Sequence, residues 1–236
     1  MRPVTGLVLS CEHASWTLPP GVDLGVSLEV LQSQASWDHG AFEIATRLSE
    51  AIGIHLHAGA FSRMYVDLNR AADHPNVIPE NSYGAPVPGN VGLAAGDRLA
   101  RITGFHAPYW EAVRRDVAAR LHDCGEVLHF SSHTFCPSLD PTTRTFEVGV
   151  LYDPAHAYEA AHAEKLLFAL RRAGIDVRAN EPYSGVGFAI CTTFRKAFGA
   201  RYAGIQLETS HAVTTTPGGC ARVAEALLPF LESLRD

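Results

Sequence analysis

Apolar and polar positions along this chain follow two periods in turn, one of strands and one of helices. The run Gly6-Leu7-Val8-Leu9-Ser10-Cys11 predicts a short buried strand that ends at Glu12-His13. Across residues 38–52 the apolar side chains of Phe42, Ile44, Ala45, Leu48 and Ile52 recur at helical spacing, and Gly53 supplies the stop. Residues 55–60 and 64–68 predict two further strands. Residues 73–90, rich in proline, predict an ordered surface loop. A helix over residues 94–121 is expected to break near Pro108, because proline lacks the N–H that a helix interior needs.

Residues 127–130, 146–152, 175–178 and 202–207 read as short apolar strands. Residues 158–173, closed by Gly174, and residues 221–234 read as helices. Strands alternating with helices, without hairpin signals, predict an α/β fold. Its sheet is expected to be mixed and mostly parallel, with helices on both faces. No linker or repeat divides the chain, so residues 1–236 are expected to form a single catalytic domain.

The polar residues fall at telling places on this outline. Glu12-His13, His133 and Glu208 each follow a predicted strand directly, and ligand sites in open α/β sheets lie beyond the carboxyl ends of strands. Composition narrows the function classes. The formal net charge is −6 and no Lys/Arg block occurs, which argues against a phosphate backbone as partner. No apolar run approaches the roughly 20 residues that span a bilayer, and the first residues show no signal peptide. The five cysteines are irregularly spaced, with no C-x-x-C pair, and are expected to be reduced thiols of a cytoplasmic protein. Twelve histidines are many for 236 residues, so histidine is the residue type to follow.

A catalytic zinc site needs about three protein ligands drawn from His and carboxylates, with one position left open. A nearby carboxylate then moves the proton. His13, His133, Asp38 and Glu208 can supply that set, although no local H-E-x-x-H helix ties two of them together. A serine hydrolase is disfavoured because no G-x-S-x-G elbow occurs. Cys11 and His13 are near neighbours on one strand, which is poor geometry for a Cys-His pair.

Several blocks then resemble the N-formylglutamate amidohydrolase family. Ser10-Cys11-Glu12-His13-Ala14-Ser15 followed by Pro19 is similar to its opening signature, and Trp37-Asp38-His39-Gly40-Ala41 to its W-D-x-G-A segment. The run from Ser62 to Arg70, the Phe105–Trp110 block, Ser132–Pro137, Asn180–Gly185 and Gln206-Leu207-Glu208 follow in family order. The resemblance implies a zinc-exopeptidase-like (phosphorylase/hydrolase-like) α/β fold. It also implies hydrolysis of an N-acyl amino acid, typically N-formyl-L-glutamate to formate and glutamate. Carried over by position, His13, Asp38 and His133 hold one Zn2+ ion and Glu208 is the general base.

Glu12 competes with Asp38 for the carboxylate position. Adjacent strand residues point to opposite faces, which favours Asp38, whose bland alternative is to cap the following helix. Arg63, Asn69, Arg70, Arg144 and Tyr183 are the candidate substrate-binding residues. A guanidinium grips a carboxylate bidentately, and a tyrosine hydroxyl can donate to a developing oxyanion. For Arg70 the alternative is a salt bridge to Asp67 or Asp73. His106 is a candidate substrate or supporting contact, while His39 and His211 read as surface or hydrogen-bonded residues. Cys136, Thr134 and Thr209-Ser210-His211 depart from the family pattern, the last by removing an arginine after the glutamate. That departure bears on the acyl-amino-acid preference. A zinc peptidase or amidase for another substrate, or a non-catalytic metal-binding domain, stays open as an alternative.

Overall fold

The computed structural model describes residues 5–138 and 144–234; the reading of the first four residues lies outside them. A six-stranded sheet carries the described residues. In chain order, β1 (Gly6–Cys11) is followed by a one-turn helix α1 (Leu28–Leu31), then α2 (Ala41–Ile52) and β2 (Leu56–Ala58). A two-residue hairpin, β3 (Asn81–Ser82) and β4 (Ala85–Pro86), stands apart from the main sheet. Next come α3 (Ala95–Arg101), α4 (Ala107–Cys124), β5 (Val127–Phe135), β6 (Val148–Leu151), α5 (Ala157–Arg172) and β7 (Val177–Ala179). The chain closes with α6 (Ile190–Phe198), β8 (Tyr202–Ser210), α7 (His211–Thr214) and α8 (Gly219–Glu232).

The sheet is mixed and mostly parallel. β2, β1, β5 and β8 run one way, while β6 lies antiparallel to β8 and takes β7 with it. Alternation along each strand decides which helix covers which side. Leu7, Leu9, Leu128, Phe130, Ile205 and Leu207 face α2, α5 and α8. Val8, Val127 and Tyr202 face α4 and α6. Among the described residues no helix is long and apolar enough to cross a membrane, and all five cysteines are free.

Four expectations are corrected. Residues 64–68 do not form a strand, although Met64, Val66 and Leu68 are buried. Turns and side chains rather than a ladder satisfy this backbone: Tyr65, Val66 and Asp67 donate to backbone carbonyls, while Asn90 donates to the Met64 carbonyl, Arg101 to that of Tyr65 and Trp110 to that of Leu68. Near Pro108 the helix is not broken. A π-helical turn (Ile102–His106) absorbs the misfit, and Pro108 sits in the first turn of α4, where its missing N–H costs nothing. Helix α6 lies in a stretch that predicted no element. β5 runs five residues and β8 three residues beyond their predicted ends, so His133 and Glu208 lie within strands rather than after them.

Two buried histidines make the fold acid-sensitive. His162 on α5 packs between Tyr158 and Phe230, its Nδ1 without a partner among the described residues. Burial, helped by Lys165, pushes its pKa down to about 4. Burial does the same to His129, also to about 4. The unfolded chain takes up these protons as the pH falls below 6.5, and the folded chain does so only near 4. The stability contribution is therefore complete above pH 6.5 and is lost as the pH falls through about 4. Urea unfolding midpoints are expected to drop across that window, and His162→Leu to flatten the slope. An unaltered slope in the variant would place the acid sensitivity elsewhere.

Candidate active site

The extensions of β5 and β8 build one wall of a site. His133 and Glu208 are register partners on these strands, so their side chains leave the same face side by side, with Ser131 and Gln206 behind them. β1 ends at Cys11, and His13 turns in from the following residues. Asp38 arrives from the loop before α2, its backbone N–H bonded to the His13 carbonyl at 3.0 Å. Asp38 does not cap α2; Gly40 occupies that position at φ 84°, and a side chain there would collide with Thr214 and Cys220.

His13, Asp38 and His133 are all buried, and each offers one ligand atom within 4.8 Å of the others. The arrangement of nitrogens is specific. Asp38 Oδ2 lies 3.3 Å from His13 Nδ1 and 2.8 Å from His133 Nδ1. The opposite ring nitrogens face other carboxylates: His13 Nε2 is 2.7 Å from Asp67 Oδ1, and His133 Nε2 is 3.0 Å from Glu12 Oε2. Metal-binding imidazoles are commonly held this way, with the far nitrogen fixed by a carboxylate. Glu12 thus stands behind His133 rather than beside His13, and Ser131 and Tyr109 hydrogen-bond its two oxygens at 2.5 and 2.9 Å.

The electrostatics agree with a cation at this point. Burial alone would raise the Asp38 carboxyl, but Arg63, His13 and His133 hold it well below the usual carboxylate range. Burial would likewise lower His133, yet the hydrogen bonds it donates to Asp38 and Glu12 raise it well above the ordinary histidine value. A place that stabilises an added proton so strongly stabilises a metal cation for the same reason.

Glu208 behaves differently. It is buried, and its Oε2 has no hydrogen-bond partner among the described residues. Burial pushes its pKa up to about 8, with Asp38 adding to the rise and His133, Arg63 and Arg144 opposing it. A carboxylate poised near neutrality can both take and give a proton.

A cavity of about 250 Å³ opens in front of these groups, lined by His13, Asp38, His133 and Glu208 together with Asn69, Arg70, Tyr183 and Phe188. The five candidate substrate-binding residues separate here. Arg63 is buried, and its terminal nitrogens are committed to Asp38 and, at 3.1 Å, to the Tyr83 hydroxyl. Asn69 donates to Gln206 at 3.2 Å and accepts the first free N–H of α6, that of Ile190, at 3.1 Å. Arg70 lies at the cavity edge, its Nη1 on the Phe188 carbonyl at 3.0 Å and its Nε 3.8 Å from Asp67. Tyr183 lines the cavity with its hydroxyl accepting from Arg144 at 3.3 Å. Arg144 itself stacks on the Tyr183 and Phe135 rings.

His106 bonds the Arg70 carbonyl at 2.6 Å and stacks on Trp110, so it supports Arg70 from behind. His211 sits 3.0 Å from Thr134 Oγ1, with the His39 ring beside it. Two participants escaped the sequence reading. In the sequence Asp67 reads only as a partner of Arg70, although it lies in the same Ser62–Arg70 block. Tyr83 carried only a turn signal, its Gly84 neighbour, and adopts a left-handed φ of 50° at the hairpin tip.

Comparisons with known proteins bear on the family and the fold. The family model of N-formylglutamate amidohydrolase matches residues 5–214. A gene product of Agrobacterium tumefaciens of known structure is 30% identical, with a TM-score of 0.85 over 98% of this chain and 92% of that one. An N-formylglutamate amidohydrolase of Ralstonia eutropha JMP134 is 20% identical, with a TM-score of 0.76 over 98% and 94% of the two chains. No curated protein is significantly similar in sequence.

Proposed function

Because this chain belongs to the N-formylglutamate amidohydrolase family, we propose that it is a zinc-dependent enzyme that hydrolyses the amide bond of an N-acyl amino acid. The reading takes the whole chain as one cytoplasmic catalytic domain. The family name makes N-formyl-L-glutamate, cleaved to formate and L-glutamate, the reference substrate. One observation carries the proposal: the His13, Asp38 and His133 donor set shares one cavity with the Glu208 Oε2, which has no partner among the described residues.

His13, Asp38 and His133 would hold the zinc, which when bound would supply Lewis-acid polarisation of a carbonyl and lower the pKa of a water. The chain's own residues do the rest. Asp67 and Glu12 fix the two imidazoles so that both Nδ1 atoms face Asp38. Arg63 fixes Asp38 and is itself held by Tyr83. Arg70 takes the α-carboxylate of the substrate and so aims the amide toward the ligand set. Glu208 accepts the proton of the attacking water and passes it to the leaving amine nitrogen as the C–N bond breaks. Tyr183 stays protonated, its pKa pushed up by burial and by Tyr83 and Glu208, so its hydroxyl remains a donor for the oxyanion.

The test joins metal analysis to turnover. Protein stripped with a chelator is expected to regain one zinc per chain and, with it, hydrolysis of formyl-, acetyl- or succinyl-amino acids. Failure to bind zinc, or turnover indifferent to the chelator, would sink the proposal.

A further inference from the structure

We infer that Tyr83 is a second catalytic tyrosine, which with Tyr183 offers the oxygen of the scissile carbonyl a pair of hydrogen-bond donors as that oxygen gains negative charge. The inference rests on the hydrolysis proposed above and assigns a further residue of the same site. Tyr83 and Tyr183 line one cavity with Asp38 and Glu208. They reach it from separate parts of the chain, Tyr83 from the turn between β3 and β4 and Tyr183 from the segment after β7.

The two tyrosines are built alike. Arg63 donates through Nη1 to the Tyr83 hydroxyl at 3.1 Å, and Arg144 through Nη1 to the Tyr183 hydroxyl at 3.3 Å. Each guanidinium also lies over the ring it serves, 5.2 and 5.0 Å from the centroid. A hydroxyl that accepts from a guanidinium keeps its own proton to give, and is polarised toward giving it. The two hydroxyls interact with each other, so at most one of their protons is spent between them. An oxygen arriving between the rings can draw both. The groups behind the tyrosines set where that oxygen lies. Arg63 also pairs with Asp38, which offers one of the grouped ligand atoms, while Arg144 and Tyr183 lie within the field of Glu208. The hydroxyls therefore approach a bound carbonyl from the Asp38 side and from the Glu208 side.

The backbone at Tyr83 supports the assignment. Tyr83 at φ 50° and Gly84 at φ 85° form a two-residue hairpin loop, and such loops favour Asn, Asp or Gly in the first place. A ring is uncommon there, and residues held in sparsely populated backbone regions gather at working sites. Packing does not account for the choice, because Tyr83 is 41% exposed. The turn is nevertheless fixed: buried Ser82 donates to the Ala35 carbonyl at 2.5 Å, and Asn81 accepts the Gly84 N–H at 3.0 Å. Ala35 shortly precedes Asp38, so the hairpin is tied to the segment that carries the ligand. As water attacks, the π pair of the carbonyl moves onto its oxygen, and it returns as the C–N bond breaks. Tyr83 and Tyr183 hold that charge by hydrogen bonds and transfer no proton, which leaves the proton to Glu208.

The test is Tyr83→Phe in the zinc-loaded protein, which keeps the ring over Arg63 and removes only the hydroxyl. With whichever formyl-, acetyl- or succinyl-amino acid the parent cleaves fastest, kcat is expected to fall about a hundredfold, the scale for one lost oxyanion donor. KM, zinc content and Tm are expected to stay near those of the parent, since the lost interaction belongs to the transition state. Calorimetric titration with a phosphinate analogue of that substrate, whose tetrahedral group stands in for the attacked carbonyl, should show binding weakened about tenfold or more. Binding of the product amino acid should be unaltered. An unchanged kcat, or a rise in KM alone, overturns the inference and leaves the hydrolysis standing. So does a loss of zinc, which would make Tyr83 only a support for Arg63. If the zinc-loaded parent cleaves none of these substrates, the hydrolytic reading falls and takes this inference with it.

Discussion

Glutamine in place of Glu208 is expected to cut turnover at least about a hundredfold while zinc stays bound, the usual scale for losing a general base. The structure separates those two effects. Glu208 is not among the grouped ligand atoms of His13, Asp38 and His133, so its loss leaves the donor set whole. Its Oε2 has no partner among the described residues to forfeit, and glutamine keeps the shape within β8. What disappears is a group whose pKa lies near 8 and which can cycle its proton. Steady-state kcat and the zinc content of the purified variant read the two quantities independently. Turnover close to that of the parent would falsify the assigned role, and loss of zinc would move Glu208 into the ligand set.

The largest effect on stability is expected at Glu159, far from any reacting atom. This buried carboxylate on α5 pairs with Arg195 of α6, whose Nε lies 2.9 Å away and whose Nη2 also contacts it. It further accepts the backbone N–H groups of Asp153 at 2.6 Å and Gly204 at 2.8 Å. Glu159→Ala removes one charge of a buried pair and strands the other, which costs about 3–5 kcal/mol. For a chain of this size that is a fall of roughly 6–20 °C in Tm. Removing both charges, as Glu159→Leu with Arg195→Met, is expected to recover much of the loss, because no uncompensated charge remains. Thermal and urea unfolding of the single and double variants measure this. A double variant no better than Glu159→Ala would mean that the backbone bonds to Glu159, rather than the pairing, hold the junction. Arg195 also holds the Gly185 carbonyl, so the single variant should loosen the loop that carries Phe188.

Much of this molecule can be read from local sequence. The apolar run of β1, the spacing of Ile44, Ala45, Leu48 and Ile52 on α2, and the glycine stops that follow both α2 and α5 each state their element within a few residues. The residue types of the site were legible for a related reason: two histidines and two acids near strand ends are a costly combination to bury without a use. Their partners were not, because a buried polar residue is paid for by groups that can lie anywhere in the chain.

The run Ser131-Ser132-His133-Thr134 reads as loop by polarity, yet it is strand. Ser132 is satisfied by the Ala41 carbonyl, Ser131 by Glu12, and His133 by Asp38 and Glu12. Met64–Leu68 is the converse, apolar enough for a strand but served by side chains of Asn90, Arg101 and Trp110. The sequence by itself therefore determined the elements whose stabilisation is local or periodic, the α/β class, and the histidines and acids available for chemistry. Only the tertiary structure decided that Asp38 faces both Nδ1 atoms, that Glu12 and Asp67 stand behind the imidazoles, and that Arg63 serves Asp38 while Arg70 faces the cavity. Those choices depend on hydrogen bonds between residues 25 to 121 positions apart, and no local pattern encodes a partner at that distance.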